Sequence, residues 1–169
     1  LWLERTLATI ALCCLEDTPA RWVATHRLHH VHSDDPEDPH TPRDGVSWSH
    51  VGWLFRRAPD RRTLAFLDKY ARDILADRYF RYLERHPTST LWIYLAHASI
   101  FALAGLVVGR FNGGDWDRGV QLGTSWLVWG AFVRTVLVWH MTWSVNSLSH
   151  LFGYQTYETG EDSRNNWFV

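Results

Sequence analysis

Cysteine is nearly absent from this chain: two in 169 residues, adjacent at Cys13 and Cys14. Neighbouring cysteines supply neither a disulfide framework nor a Cys-x-x-Cys metal site. They read as two small apolar side chains on a helix. Lysine is scarcer still, with Lys69 the one lysine among 17 basic residues. The net charge of −1 carries no bias towards polyanions, so no nucleic-acid partner is expected. No signal peptide, internal repeat or low-complexity tract is visible, and no glycine-rich nucleotide fingerprint occurs. The chain opens on Leu1 and closes on the apolar Trp167-Phe168-Val169, which leads us to expect an internal piece of a longer protein.

Against these shortages stand 11 tryptophans, 10 histidines and a basic set made almost wholly of arginine. Tryptophan and arginine together suit a membrane interface, where an amphipathic ring and a snorkelling cation both find partners. The mean hydropathy of −0.23 averages apolar spans with a strongly charged middle. Residues 2–15 form an apolar helix too short to span with ease. Thr18-Pro19 opens a second helix running through about Val31. The following SDDPEDPHTPRDG is dense in turn residues, so an exposed loop is expected. Residues 46–55 are apolar and aromatic, an interfacial segment. From Arg56 to His86 comes an amphipathic stretch with nine lysines and arginines, unable to span a bilayer.

Leu91–Val108 is the first clear span, polar only at His97 and Ser99, and as a helix ~27 Å long. Phe111–Gly119 reads as a short turn, and a second span follows that contains Arg134 and His140. The expected fold is therefore all-α: an integral membrane helical protein with two transmembrane helices, at about 90–109 and 122–146. The whole 1–169 reads as one domain. Residues 1–88 are interfacial or cytoplasmic, 89–146 the hairpin, and 147–169 a cytoplasmic return. A hairpin sends both outer ends to the same side, and the basic residues of 56–86 make that side cytoplasmic. Arg134 lies ~18 Å into the second span, snorkelling towards the cytoplasm or facing the protein interior.

This topology lets two polar clusters meet. His26, His29 and His30 stand at i, i+3 and i+4 on one helix face, with Trp22 a turn before them. Thr142, Asn146 and His150 make a stripe at four-residue steps on the later helix. Neutral imidazole is a good ligand for iron, zinc and copper. A zinc hydrolase would need a glutamate beside its histidines, but Arg27, Leu28 and His29 fill those positions. A site rich in ligands and without a base suits redox chemistry better than hydrolysis. A solvated polar helix face for the first cluster, and a helix-packing stripe for the second, remain the alternatives. His32 and His40 are expected to be loop residues or residues that support the ligands from behind, neither binding metal. His50 and His140 are assigned to packing or hydrogen bonding, His97 to a bundle-facing polar role, and His86 to a helix C-terminal cap.

Three motifs, THRLHHVHSDDPEDPHTP, SHVGWLFRR and HMTWSVNSLSHLFGY, occur in that order over the chain. They resemble the membrane fatty-acyl desaturases, especially the acyl-CoA Δ9 (stearoyl-CoA type) group. The resemblance implies a four-span helical fold with two irons held by nine histidines and an asparagine-bound water, using O2 and two electrons. Carried over by motif, metal ligands fall on His26, His29, His30 and His150, with Asn146 acting through water. Trp22 and Thr142 match residues lining the bend of an acyl tunnel, and Arg56-Arg57 a basic pair that meets CoA phosphates. The family's first and last histidine boxes have no counterpart in the 169 residues, which hold four of the nine ligands. Ala24-Thr25 stands where animal members carry Arg-Asp, and Glu16-Asp17 where they carry Gln-Asn, which puts the CoA contacts in question. The implied substrate is a fatty acyl-CoA or other acyl thioester or lipid, and the electron donor a ferredoxin or cytochrome b5-type protein. A related membrane di-iron hydroxylase, a non-catalytic lipid-binding membrane fragment and a structural zinc protein are the alternatives.

Overall fold

A computed structural model describes residues 1–56, 58–158 and 160–167, and among these the architecture is all-helical. The helices are α1 (Trp2–Leu12), α2 (Pro19–Val31), α3 (Val46–His50), α4 (Leu64–Tyr70), α5 (Arg72–Ala76), α6 (Arg78–Arg85), α7 (Thr88–Phe111), α8 (Trp116–Leu127) and α9 (Arg134–Leu151). A π-helical turn, Val128–Val133, joins α8 to α9, so Trp116–Leu151 runs as one helix of 36 residues. The only extended pairing among the described residues is an isolated bridge between Tyr154 and Asn165. The chain divides into two compact units, residues 1–18 with 82–138 and residues 19–81 with 139–169.

The first unit is organised by a helical hairpin. Its connection is tighter than expected, because Phe111 still belongs to α7 and Trp116 already opens α8. Asp115 caps α8 by accepting from the Arg118 amide (2.8 Å), and Gly113 supplies the positive φ of +76° that reverses the chain. The second long helix thus starts six residues before position 122. Glycines at four-residue steps set the contact between the two helices. A Cβ added at Gly105 would stand 2.7 Å from the Leu122 carbonyl, and one at Gly109 2.7 Å from that of Arg118. Gly119 and Gly123 answer from α8, so the backbones touch in antiparallel register.

α7, with 24 residues, and the Trp116–Leu151 helix are each long and apolar enough to cross a membrane. Arg134 turns inward: Nη2 donates to the Cys13 carbonyl (2.6 Å) and Nε to that of Gly130 (3.0 Å). It thereby places a cation at the carbonyl end of α1. His97 packs edge-on against Phe101 at 5.1 Å within the hairpin.

The second unit is built on the two-sidedness of α2. At 100° per residue, Ala20, Ala24 and Leu28 share one side, while Trp22, His26, His29 and His30 share the other. The alanine side packs fully buried against Leu67 and Ala71, flanked by Phe66, Tyr70, Ile74 and Leu75. Small side chains let α4 approach closely, which leaves the histidine side for chemistry. The amphipathic 56–86 stretch folds as α4, α5 and α6 in succession, preceded by a 3-10 turn at Pro59–Arg62. Thr63 caps α4 through the Phe66 amide (3.2 Å). Arg27 clamps Asp73 with two hydrogen bonds (2.6 and 2.8 Å) and also donates to the Tyr70 carbonyl (2.8 Å). His86 closes α6, its Nδ1–H donating to the Tyr82 carbonyl (3.1 Å).

The exposed-loop expectation for residues 33–45 holds at residues 35–37 and 43–45 and fails between them and at Asp34. Asp34, Asp38, Pro39, His40, Thr41 and Pro42 are all buried. Turn-forming residues do give an irregular backbone, but its carboxylates are taken inward by hydrogen-bond donors.

Gly105→Ala should cost about 1–3 kcal/mol by forcing the helices apart, read as a lower unfolding midpoint of the purified protein in detergent. The Arg27 hydrogen bonds hold the Asp73 carboxyl down at about 2 from its usual 3.8. Its stabilisation is complete above pH 3.8 and is lost as pH falls through about 2. Because the pair is exposed, Asp73→Asn should cost at most about 1 kcal/mol at neutral pH and shift the acid limb of the stability profile.

Candidate metal centre

Within the second unit the histidine side of α2, the buried loop and the last turns of α9 come together. His29 and His150 lie 121 positions apart in sequence, yet their ring centroids are 5.6 Å apart. His29 stands 5.4 Å from His30 and 6.4 Å from His26, and both His29 and His150 are buried.

Two carboxylates orient these rings. His29 Nδ1–H donates to Asp38 (2.9 Å), and His150 Nδ1–H donates to Asp34 (3.0 Å). A proton held at Nδ1 leaves Nε2 as the free lone pair, the arrangement in which carboxylates tune histidine ligands. Asp34 adopts φ +65°, a left-handed conformation that aspartate tolerates better than most residues. Its carboxylate also accepts the Asp162 amide (2.6 Å). Burial by itself would raise the Asp38 carboxyl. The His29 hydrogen bond and the His40 and Asp34 amides outweigh this and bring it below its ordinary value.

His26 and His30 face each other with Nε2 atoms 3.0 Å apart. Two nitrogens bound ~2.1 Å from one ion at a right angle would stand ~3.0 Å apart, so this pair has the bite of a chelate. Desolvation, then the neighbouring His30 and His29, push the His26 pKa down, which keeps a lone pair available at neutral pH. A set of four imidazoles, two of them with Nδ1 anchored on a carboxylate, fits a transition metal such as iron. Two mixed groups, His29–Asp38–His40 and Asp34–His150–Glu161, also have ligand atoms within 4.8 Å of one another. In each the aspartate already accepts an imidazole N–H, so we read these aspartates as orienting groups rather than as primary ligands.

Asn146 and Thr142 are half-buried on α9, one and two turns before His150. Trp22 stacks on His26 at 4.7 Å, on the histidine side of α2. Arg56 is exposed and lies 5.7 Å over the Trp48 ring. Arg57 lies outside the described residues. His50 and His140 are hydrogen-bonded to each other (3.0 Å).

Sequence reasoning missed Asp34 and Asp38, whereas His40 takes the supporting place beside the ligands that was one of its two expected roles. The His40 ring lies tilted against that of His29, centroids 4.4 Å apart, and burial, then the charge of His29, push its pKa down to about 4. Local sequence carried no signal for the two aspartates: a polar loop rich in turn residues reads as exposed, and the His150 partner of Asp34 lies 116 positions away.

A model of the fatty acid desaturase family matches residues 1–169. The chain belongs to the fatty acid desaturase family. It is 36% identical over 168 residues to an sn-1 stearoyl-lipid 9-desaturase of Anabaena variabilis, covering 99% of this chain and 53% of that protein. It is also 36% identical over 170 residues to acyl-CoA 5-desaturase AL21 of Anemone leveillei, covering 99% of this chain and 46% of that protein. A chloroplastic palmitoyl-monogalactosyldiacylglycerol delta-7 desaturase of Arabidopsis thaliana is 33% identical over 174 residues, with 99% and 40% covered. The chain spans about half the length of these desaturases.

Asp38 receives N–H groups from His29, Asp34 and His40. Asp38→Asn replaces one of its acceptor oxygens with a donor, so a buried N–H loses its partner. A loss of about 1–3 kcal/mol in a denaturant titration is expected; an unchanged midpoint would mean that the loop is not held this way.

Proposed function

We propose that the protein, at full length, is an O2-dependent di-iron acyl desaturase that introduces a cis double bond into a saturated acyl chain. The observation that carries this reading is the approach of His29 and His150, each with Nδ1 on its own buried carboxylate. His26, His29, His30 and His150 would hold iron, with Asn146 acting through a water. By the family's count these are four of nine histidine ligands, and the others belong to flanking segments of the same single domain. Bound iron supplies O2 activation, and the overall balance is –CH2–CH2– plus O2, two electrons and two protons giving –CH=CH– and two waters.

The chain's own residues provide the setting. Asp34 and Asp38 keep protons at the Nδ1 atoms of His150 and His29, and so leave both Nε2 lone pairs free to bind iron. The buried Asp38–Pro42 wall excludes water from the back of the site. Trp22, stacked on His26, and Thr142 on α9 would line the bend of an acyl tunnel and position one methylene pair for reaction, so regioselectivity would be a matter of positioning. Electrons come from a ferredoxin or cytochrome b5-type partner. The protein is multi-pass, with the histidine cluster on the cytoplasmic side, as the basic 56–86 segment argues.

One observation bears on the acyl carrier. Ala24, at the position where animal acyl-CoA members carry arginine, is fully buried in the seam between α2 and α4. No cation there reaches a CoA phosphate, which favours an acyl chain esterified to a membrane lipid. Arg56 and Arg57 are the residues that would serve a CoA thioester instead.

Expression of the full-length protein in a host with a saturated-rich membrane tests the reading. A new cis-alkene in the lipid fraction, lost in His29→Ala and His150→Ala, is expected. An alcohol product would make it a hydroxylase, and a protein without iron would leave a non-catalytic lipid-binding role. Asp34→Asn should weaken iron binding roughly 10–100-fold while leaving the ligand set intact, as measured by titration of the metal-stripped protein.

A further inference from the structure

We propose that His50 is a positioning residue for the candidate metal centre, acting through Ser147 to fix the turn of α9 that carries Asn146 and His150. The inference rests on the di-iron reading above and adds a residue to it.

Ser147 lies between Asn146 and His150, and it is fully buried. Its hydroxyl donates to the Trp143 carbonyl (2.9 Å), which leaves its oxygen to accept from His50 Nδ1–H (3.0 Å). With the proton at Nδ1, His50 Nε2 becomes an acceptor, and it receives His140 Nδ1–H (3.0 Å). The hydrogen bonds therefore assign one tautomer to each ring. Trp143 closes the group, its ring edge-on to His50 at 5.9 Å and to His140 at 5.3 Å.

His50 is the last residue of α3, and α3 is reached from the buried loop through the single turn Pro42–Asp44. The segment from Asp34 to His50 thus grips α9 twice, by Asp34 at His150 and by His50 at Ser147. The two points lie three residues apart, ~4.5 Å along the helix. One grip alone leaves the helix free to turn about its axis, which would swing His150 and Asn146 together. Two grips on one face remove that freedom, and ligand geometry is sensitive to small misplacements of this kind.

Side-chain mimicry separates the two bonds of His50. Asparagine puts an amide N–H where the imidazole has Nδ1, whereas glutamine reaches the position of Nε2. Full-length His50→Asn, His50→Gln, His50→Leu and Ser147→Ala would be compared by the rate of iron loss to a ferrous chelator. Amide hydrogen exchange over residues 146–151 would be measured in the metal-stripped proteins. Iron loss roughly 10-fold faster or more in His50→Gln, His50→Leu and Ser147→Ala, with His50→Asn near the wild type, is expected. Glutamine retaining iron as well as asparagine, or Ser147→Ala matching the wild type, would overturn the proposal. Should the wild-type protein hold no iron, the di-iron reading falls, and the exchange data judge the strut alone. Faster exchange in the same three variants supports it, and unchanged exchange in all of them overturns it.

Discussion

A buried carboxylate is tolerable only when its lone pairs are filled, and two such groups, Asp34 and Asp38, hold the second unit of this chain together. They are 1% and 4% exposed. Unpaired, each would cost several kcal/mol or take up a proton. Instead Asp38 accepts from the His29 ring and two backbone amides, and Asp34 from the His150 ring and the Asp162 amide. A loop without an apolar core of its own is thus buried by polar satisfaction. The same bonds join α2, the end of α9 and the C-terminal return, and they fix the tautomers of the His29 and His150 rings.

The rest of the unit serves this arrangement. Alanines on one side of α2 let α4 and α5 brace it without intruding on the opposite side, where Trp22 and the three histidines stand. Asp34 and His150 are 116 positions apart, so their pairing closes a long stretch of chain. Such closure has an entropic cost that rises only slowly with length, and several simultaneous contacts at the site offset it.

The first unit meets a different constraint. Large apolar side chains point outward along the long helices, among them Trp92, Ile100, Leu103, Trp129 and Leu137. Surface of that kind suits lipid better than water. Apolar matching gives no driving force between helices in lipid, so close backbone contact has to supply it. The paired glycines of α7 and α8 provide that contact, while Arg134 spends its hydrogen bonds inside the protein, on Cys13 and Gly130, rather than on the bilayer.

Periodicity and composition were enough to define an all-helical chain with two long apolar helices, the start of α2 at Pro19, and the shared face of His26, His29 and His30. These follow from local rules: proline at a helix start, 3.6 residues per turn, and a hydrophobic run as long as a bilayer is thick. The motifs carried the family. Local rules failed where long-range partners decide. Turn residues place Asp34 and Asp38 in a loop, but only the His150 and His29 rings explain why that loop is buried. Arg134 had two outcomes open to it until the Cys13 carbonyl supplied its acceptor. Gly105, Gly109, Gly119 and Gly123 are ordinary helix residues until two backbones meet at them. The sequence by itself determined the two long apolar helices and which histidines of α2 share a face, because both depend on neighbours within a turn or two. Tertiary structure alone decided which acids and which hydroxyl hold those side chains in place, because a hydrogen-bond partner 116 positions away leaves no local trace.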